Sequence, residues 1–108
     1  MKVCIVGAGA IGGWMGARLA LAGHQVSVLA RGATLAAIQA NGLQLVENGT
    51  IHSVRVKACN TAADLETPDL LIIAVKAPGL RDAALAAVPL IGPNTMVLTA
   101  MKDRKSVV

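Results

Sequence analysis

The chain has 108 residues, 55% of them apolar, and ten lysines and arginines against six acids give it a net charge of +4. That length supports one small domain with a real core, and the apolar excess suits a parallel sheet buried on both faces. Glycines and charges interrupt each apolar run short of a membrane span, no signal-peptide cleavage pattern occurs, and one aromatic residue among scattered basic ones gives nucleic-acid binding little support.

Lys2-Val3-Cys4-Ile5-Val6 reads as a central strand and runs directly into Gly7-Ala8-Gly9-Ala10-Ile11-Gly12. In such a join Gly7 permits a tight turn, Gly9 lets backbone approach phosphates with no Cβ in the way, and Gly12 lets the following helix pack close to the strand. Free N–H groups at the helix start, with the positive end of its dipole, then face a ligand's negative charge. A glycine-rich turn without a ligand is the plain alternative, but the strand before and the helix after are the context this motif requires. The helix is expected to continue to about Ala22. Gly13 and Gly16 cost it roughly 1 kcal/mol each relative to alanine, which is easiest to understand where the helix lies on the sheet. Trp14 reads as packing at the helix start rather than as a platform for a cofactor ring. Gly23 ends the helix as a C-cap, and residues 25–30 read as the second strand.

The end of that second strand bears on the choice of cofactor. A site for NAD usually places Asp or Glu there to accept hydrogen bonds from ribose hydroxyls. Here the chain has Ala30-Arg31-Gly32, and no acid precedes Glu47. A guanidinium at Arg31 would make a charge-assisted contact to a 2′-phosphate, so the pattern points to NADP. A solvated arginine at a strand end is the alternative.

Residues 33–40 form an expected helix stopped by Asn41-Gly42. Residues 43–47 and 50–57 then read as a hairpin around Asn48-Gly49, with a bulge where the apolar phase slips between Ile51 and Val54. A connecting turn at 64–68 leads to the uninterrupted apolar run 70–75, expected to be a third central parallel strand. Pro78-Gly79 begins another helix, Pro89 and Gly92-Pro93 close it, and residues 95–99 form one more strand. The whole is an α/β, Rossmann-type doubly wound and mostly parallel sheet with an inserted hairpin. Lys76 ends the third parallel strand, where open α/β sheets bind ligands, and could meet a phosphate or the nicotinamide region; a solvated lysine is an equally good reading. Cys4 and Cys59 have neither metal spacing nor a disulfide framework, and both fit a reducing cytoplasm. His24 and His52 have no partner pattern for catalysis or metal.

Taken together, Gly7-Ala8-Gly9-Ala10-Ile11-Gly12-Gly13, Arg31, Asn41-Gly42-Leu43 before a hairpin, and the run from Asp69 to Lys76-Ala77 resemble the N-terminal domain of the ketopantoate reductase (2-dehydropantoate 2-reductase) family. The resemblance covers roughly residues 1–101 and leaves 102–108 as a divergent basic tail. It implies NADPH-dependent reduction of a 2-oxo acid to a 2-hydroxy acid on the route to pantothenate and coenzyme A. By that resemblance residues 7–12 hold the pyrophosphate, Arg31 the 2′-phosphate, and Lys76 lines the cofactor cleft. Two departures stand out. Lys102-Asp103 occupies the place where family members carry Asn-Gly, and the family's helical second domain, with its catalytic lysine and most substrate contacts, is absent from these residues. No catalytic residue is therefore assigned, and turnover alone is not expected. A 2-oxo acid is a partner only if the missing domain is supplied, no nucleic-acid or membrane partner is expected, and a homo-oligomer stays open. A stand-alone NADP-binding or regulatory module completed by another chain, or a truncated non-functional product, remains as an alternative.

Overall fold

A computed structural model describes residues 1–7, 10–75 and 80–99, so Ala8, Gly9, Lys76, the Pro78-Gly79 helix start and the 102–108 tail lie outside the described residues. The expected doubly wound sheet is present. Strand β1 (Lys2–Val6) is followed by helix α1 (Ala10–Leu21), β2 (Gln25–Leu29) and α2 (Gly32–Asn41). The hairpin strands β3 (Leu43–Glu47) and β4 (Thr50–Val54) come next, then β5 (Lys57–Cys59), β6 (Leu70–Ile73), α3 (Leu80–Ala87) and β7 (Met96–Thr99). Five strands form one sheet in the order β5-β2-β1-β6-β7, every pairing parallel. The two hairpin strands form a separate sheet.

Burial follows the period-2 alternation of the strands. Val3 and Ile5 of β1, with Val26, Val28 and Ile72, face α1 and the hairpin, where Ala17, Ile38, Leu43 and Leu45 complete one core. Cys4 and Val6, with Leu29, Leu71 and Ile73, face the opposite side, against Leu65, Ala87 and Leu90. Central strands covered on both faces explain why β1 and β6 are nearly continuous apolar runs. Burial also holds the Cys4 thiol above its ordinary pKa, a rise only partly opposed by a hydrogen bond with Ser27.

Helix α1 ends as its sequence predicts. The N–H of His24 donates to Leu19 and that of Gly23 to Ala20, the paired bonds of a Schellman cap. Gly16 is explained by two neighbours: a Cβ there would lie 2.7 Å from Leu43 Cδ1 and 3.4 Å from Ile5 Cγ1, so the hairpin crowds the helix more closely than the sheet does. Trp14, expected to pack at the helix start, is 52% exposed there, with the Arg18 guanidinium 5.7 Å from its ring centroid. Arg18 also bonds Glu47 at 2.7 Å and so ties α1 to the hairpin.

The expected strand over residues 50–57 is corrected. It divides into β4, which pairs only with β3, and β5, which joins β2 in the main sheet. The chain changes sheets at Arg55-Val56, downstream of the apolar phase slip, which lies within β4 and involves no bulge: Ile51 is 63% exposed opposite exposed Val46, while Val54 packs on the core. Indeed the hairpin register runs unbroken from Leu43↔Val54 to Glu47↔Thr50. Asn48 at φ 54° and Gly49 at φ 77° supply the two left-handed residues that a two-residue hairpin turn demands.

Strand β7 differs from its neighbours. All four of its residues are exposed, Met96 at 70%, although it pairs with β6 through the full register Leu70↔Met96 to Ile73↔Thr99. Leu85, Val88 and Ile91, on and just after α3, are exposed on the same side of the sheet order. No helix among the described residues is long and apolar enough to cross a membrane.

Candidate functional site

The carboxyl ends of β2, β1 and β6 meet at the turn that opens with Gly7. The chain leaves β1 toward β2 and leaves β6 toward β7, so the crossovers diverge and open a crevice between β1 and β6. Open α/β sheets bind ligands at this switch point. Three backbone hydrogen bonds fix its floor. Gly7 N–H donates to the Leu29 carbonyl at 2.9 Å, Ala74 N–H to Val6 at 2.8 Å, and Ala30 N–H to Cys59 at 3.0 Å.

Both described glycines of the motif are required by packing. Gly7 sits at φ +82°, and a Cβ on it would collide with Val75 Cγ1 and lie 3.2 Å from the Ala74 carbonyl oxygen. A Cβ on Gly12 would collide with the Gly7 carbonyl oxygen and stand 3.1 Å from Ala74 Cβ. Gly12 therefore brings α1 down onto the turn and strand, the role expected from its spacing. Ala74 and Val75 complete this cradle, which the sequence reading did not single out. The available signal was the small Ala74 immediately after the apolar run, at the position where a second strand end must approach the turn.

Electrostatically, the crevice is short of negative charge. Helix α1 begins at Ala10 with no acid in its first turn, and α2 likewise has none. Among the described residues no acid in either first turn compensates their N–H groups and dipoles. Arg31 is the N-cap residue of α2, extended at φ −137° and ψ 160°, exposed, and without a side-chain capping bond. Among the described residues its guanidinium has no ion pair or hydrogen bond. Arg31 and the glycine turn therefore follow the ends of neighbouring strands, since β1 and β2 pair through Val6↔Leu29. Ala10 and Ile11 lie in the first turn of α1, while Ala8, Gly9 and Lys76 fall outside the described residues. The structure thus brings Gly7, Gly12 and the α1 and α2 starts to one edge of the sheet, with Arg31 beside them.

Comparison with known proteins agrees with this architecture. The family model for ketopantoate reductase PanE/ApbA matches residues 3–101. A 2-dehydropantoate 2-reductase of Mesorhizobium japonicum is 47% identical over 100 residues, covering 92% of this chain and 31% of that protein. The crystal structure of a candidate ketopantoate reductase from Ralstonia solanacearum MolK2 superposes with a TM-score of 0.88 at 56% identity, again over 92% of this chain and 31% of the other. A D-mandelate dehydrogenase solved with NADH and anilino(oxo)acetate superposes at 0.83 with 30% identity, over 94% of this chain and 33% of its own. The chain spans about a third of the length of these relatives.

Proposed function

The chain belongs to the ketopantoate reductase PanE/ApbA family, and from that premise we propose that it is the NADP(H)-binding part of a 2-oxo acid reductase acting on 2-dehydropantoate. The observation that carries the reading is the cradle at the switch point, where any Cβ on Gly7 or Gly12 would fill space that the turn and Ala74 already occupy. Backbone left bare in this way suits a pyrophosphate, held by residues 7–12 and the start of α1. We assign Arg31 the charge for a 2′-phosphate, and Lys76, which follows the apolar run 70–75 in the sequence, is the further candidate for contact with the cofactor. When bound, the nicotinamide supplies the hydride that reduces the 2-oxo group. The chain's own part is to bind and orient the cofactor.

We place the dinucleotide domain at residues 1–101, where the family match also ends, with 102–108 as a basic tail carrying Lys102, Arg104 and Lys105. We assign proton delivery and substrate contacts to the part of the relatives beyond the third that this chain covers, so these residues alone should not turn over 2-dehydropantoate. Two free cysteines suit a reducing compartment, which makes the cytoplasm the natural location.

The test is a fluorescence titration with NADPH and NADH, run on the chain and on Arg31→Ala. Saturable binding that prefers NADPH is expected. Loss of a charge-assisted contact worth about 1.5–3 kcal/mol should lower that preference by roughly 10- to 150-fold without changing the unfolding transition. An unchanged NADPH-to-NADH ratio in the variant would remove Arg31 from the site. The D-mandelate dehydrogenase solved with NADH makes this ratio the decisive reading rather than affinity alone.

A second reading is favoured by β7, whose exposed apolar residues stand at the edge of an otherwise buried parallel sheet. An apolar edge of this kind calls for cover. The cofactor half would then be completed by further polypeptide packed on β7 and α3, and only the completed protein would reduce substrate.

A further inference from the structure

The sheet continues past Arg31. Beyond β2 lies β5, and the two strands pair in parallel from Ser27↔Lys57 to Leu29↔Cys59. The Ala30 N–H donates to the Cys59 carbonyl at 3.0 Å, which carries the ladder one residue further and sets Asn60 beside Ala30. Neighbouring strands run about 4.8 Å apart. Asn60 and Thr61 therefore follow the end of β5 as Arg31 follows the end of β2, on the side of Arg31 away from the glycine turn. All three residues are exposed.

The side chains of Asn60 and Thr61 are arranged in a way that their own backbone does not require. Thr61 is the N-cap residue of a single 3-10 turn (Ala62–Asp64), yet its hydroxyl makes no capping bond, the usual task of a threonine there. Backbone alone closes that turn, the Asp64 N–H donating to the Thr61 carbonyl at 3.1 Å. The hydroxyl is turned back instead, and Oγ1 donates to Asn60 Oδ1 at 3.1 Å. The amide oxygen is thereby engaged. Its Nδ2 protons have no partner among the described residues, so the amide offers donors one strand across from the Arg31 position.

We propose that Asn60 is a specificity-determining residue, its Nδ2 amide donating to the same 2′-phosphate as Arg31, and that Thr61 is the positioning residue that holds the amide with its donors free. The inference rests on the NADP reading above. Phosphates over β1 put the adenosine end on the β2 side, and past Arg31 the next side chains across the sheet are Asn60 and Thr61. Oxygens of an ionised phosphate accept, which a donor-only amide matches and a carboxylate at this edge would repel. A second donor carried on a separate strand also fixes where the phosphate sits, which a single long arginine stem does not.

The test titrates the parent chain, Arg31→Ala, Asn60→Ala, Asn60→Asp, Thr61→Val and Thr61→Ser with NADPH and NADH, with thermal unfolding alongside. Asn60→Ala should lower the NADPH-to-NADH affinity ratio about tenfold, through NADPH alone and at an unchanged unfolding transition. Asn60→Asp should lower it further, because a negative charge then faces the phosphate. Thr61→Val should lower the ratio in the same direction, and Thr61→Ser should restore it. In amide NMR spectra adenosine 2′,5′-bisphosphate should shift the Asn60 side-chain resonances and adenosine 5′-monophosphate should not. An unchanged ratio in Asn60→Ala, where Arg31→Ala loses it, would overturn this proposal and leave the NADP reading standing. An unchanged ratio in both variants would remove the NADP reading and this proposal with it. Equal weakening of NADPH and NADH in Asn60→Ala would also overturn it, since that marks contact with a part of the cofactor that both share.

Discussion

Gly12 and Gly16 lie one turn apart in α1, and substituting each with alanine should have opposite consequences. Either change gains up to about 1 kcal/mol of helix propensity. At Gly16 the new methyl meets the far end of the Leu43 side chain at 2.7 Å, an atom that a rotamer adjustment can move. The small repacking and the propensity gain nearly cancel, leaving a net effect within about 1 kcal/mol. At Gly12 the methyl meets the Gly7 carbonyl oxygen, with Ala74 Cβ at 3.1 Å and Ile5 Cγ2 at 3.2 Å behind it. The carbonyl belongs to a turn whose N–H is already bonded to Leu29, and Ile5 is fully buried in β1, so neither yields easily. Because the atom met is backbone, overpacking falls in the upper part of its usual range, about 2–3 kcal/mol, and exceeds the propensity gain for a net loss of about 1–2 kcal/mol. For a domain of this size that lowers the melting temperature by roughly 4–12 °C. Because the displaced group is the turn itself, NADPH affinity should fall at least about tenfold in Gly12→Ala and hold in Gly16→Ala. Circular-dichroism melts and the NADPH titration measure the two quantities. A Gly12→Ala protein with parental stability and affinity would refute the close approach of α1 to the turn.

The two cysteines should differ sharply toward a thiol reagent at neutral pH. Cys4 is fully buried with its thiol pKa raised, whereas Cys59 is half-buried, so one thiol should react in the native chain and the second only on unfolding; equal native rates for both would contradict the burial of β1. Glu66 should add an acid-side pH dependence. Its carboxyl pKa is lowered, chiefly by the Lys2 contact, so its stabilisation is present above the ordinary value of 4.5 and is lost as pH falls through the depressed folded value. Glu66→Gln should flatten the stability profile below that pH and leave neutral stability nearly unchanged, as suits an exposed pair; an unaltered acid limb would show that the contact does not persist in solution.

Much of this arrangement is legible in the sequence because it rests on local chemistry. The glycine turn declares itself through spacing, and Asn48-Gly49 through the backbone angles that only such residues adopt readily. The run over residues 70–75 does so through burial on both faces. What escaped depends on which partner a segment meets. Residues 50–57 carry β-formers throughout, and nothing within them says that β4 belongs to the hairpin and β5 to the main sheet. Val54, Val56 and Ala58 keep one face on the same core while the strand partner changes from β3 to β2, a fact about neighbours rather than about the segment. The exposure of Trp14 escaped for a similar reason. A large apolar residue on an alanine-rich helix has no clear stripe to join, and only the position of the hairpin decides that it lies outside, against Arg18. The role of Ala74 and Val75 likewise appears only when β6 is set beside β1.

Charge placement at the helix starts gives the cofactor edge its sign. Three helices begin near the carboxyl ends of the parallel strands, each presenting unsatisfied N–H groups and the positive end of a dipole. Helix α3 answers its own with Asp82 in the first turn. Helices α1 and α2 do not, and no acid precedes Glu47 in the sequence, so the region from β1 through α2 contributes only positive charge. The acids that do occur nearest these strands are committed elsewhere: Glu47 to Arg18 on the hairpin, Glu66 to Lys2, and Asp69 to the Lys2 backbone N–H at 2.9 Å. Such an edge favours phosphates, and under the proposed function it is the two helix starts near Gly7 and Arg31, rather than the third, that would receive them. The division between α3, with Asp82 in its first turn, and α1 and α2, with no acid in theirs, supports the proposed orientation of a dinucleotide, its phosphates over β1 and β2 and its remaining end toward β6 and β7.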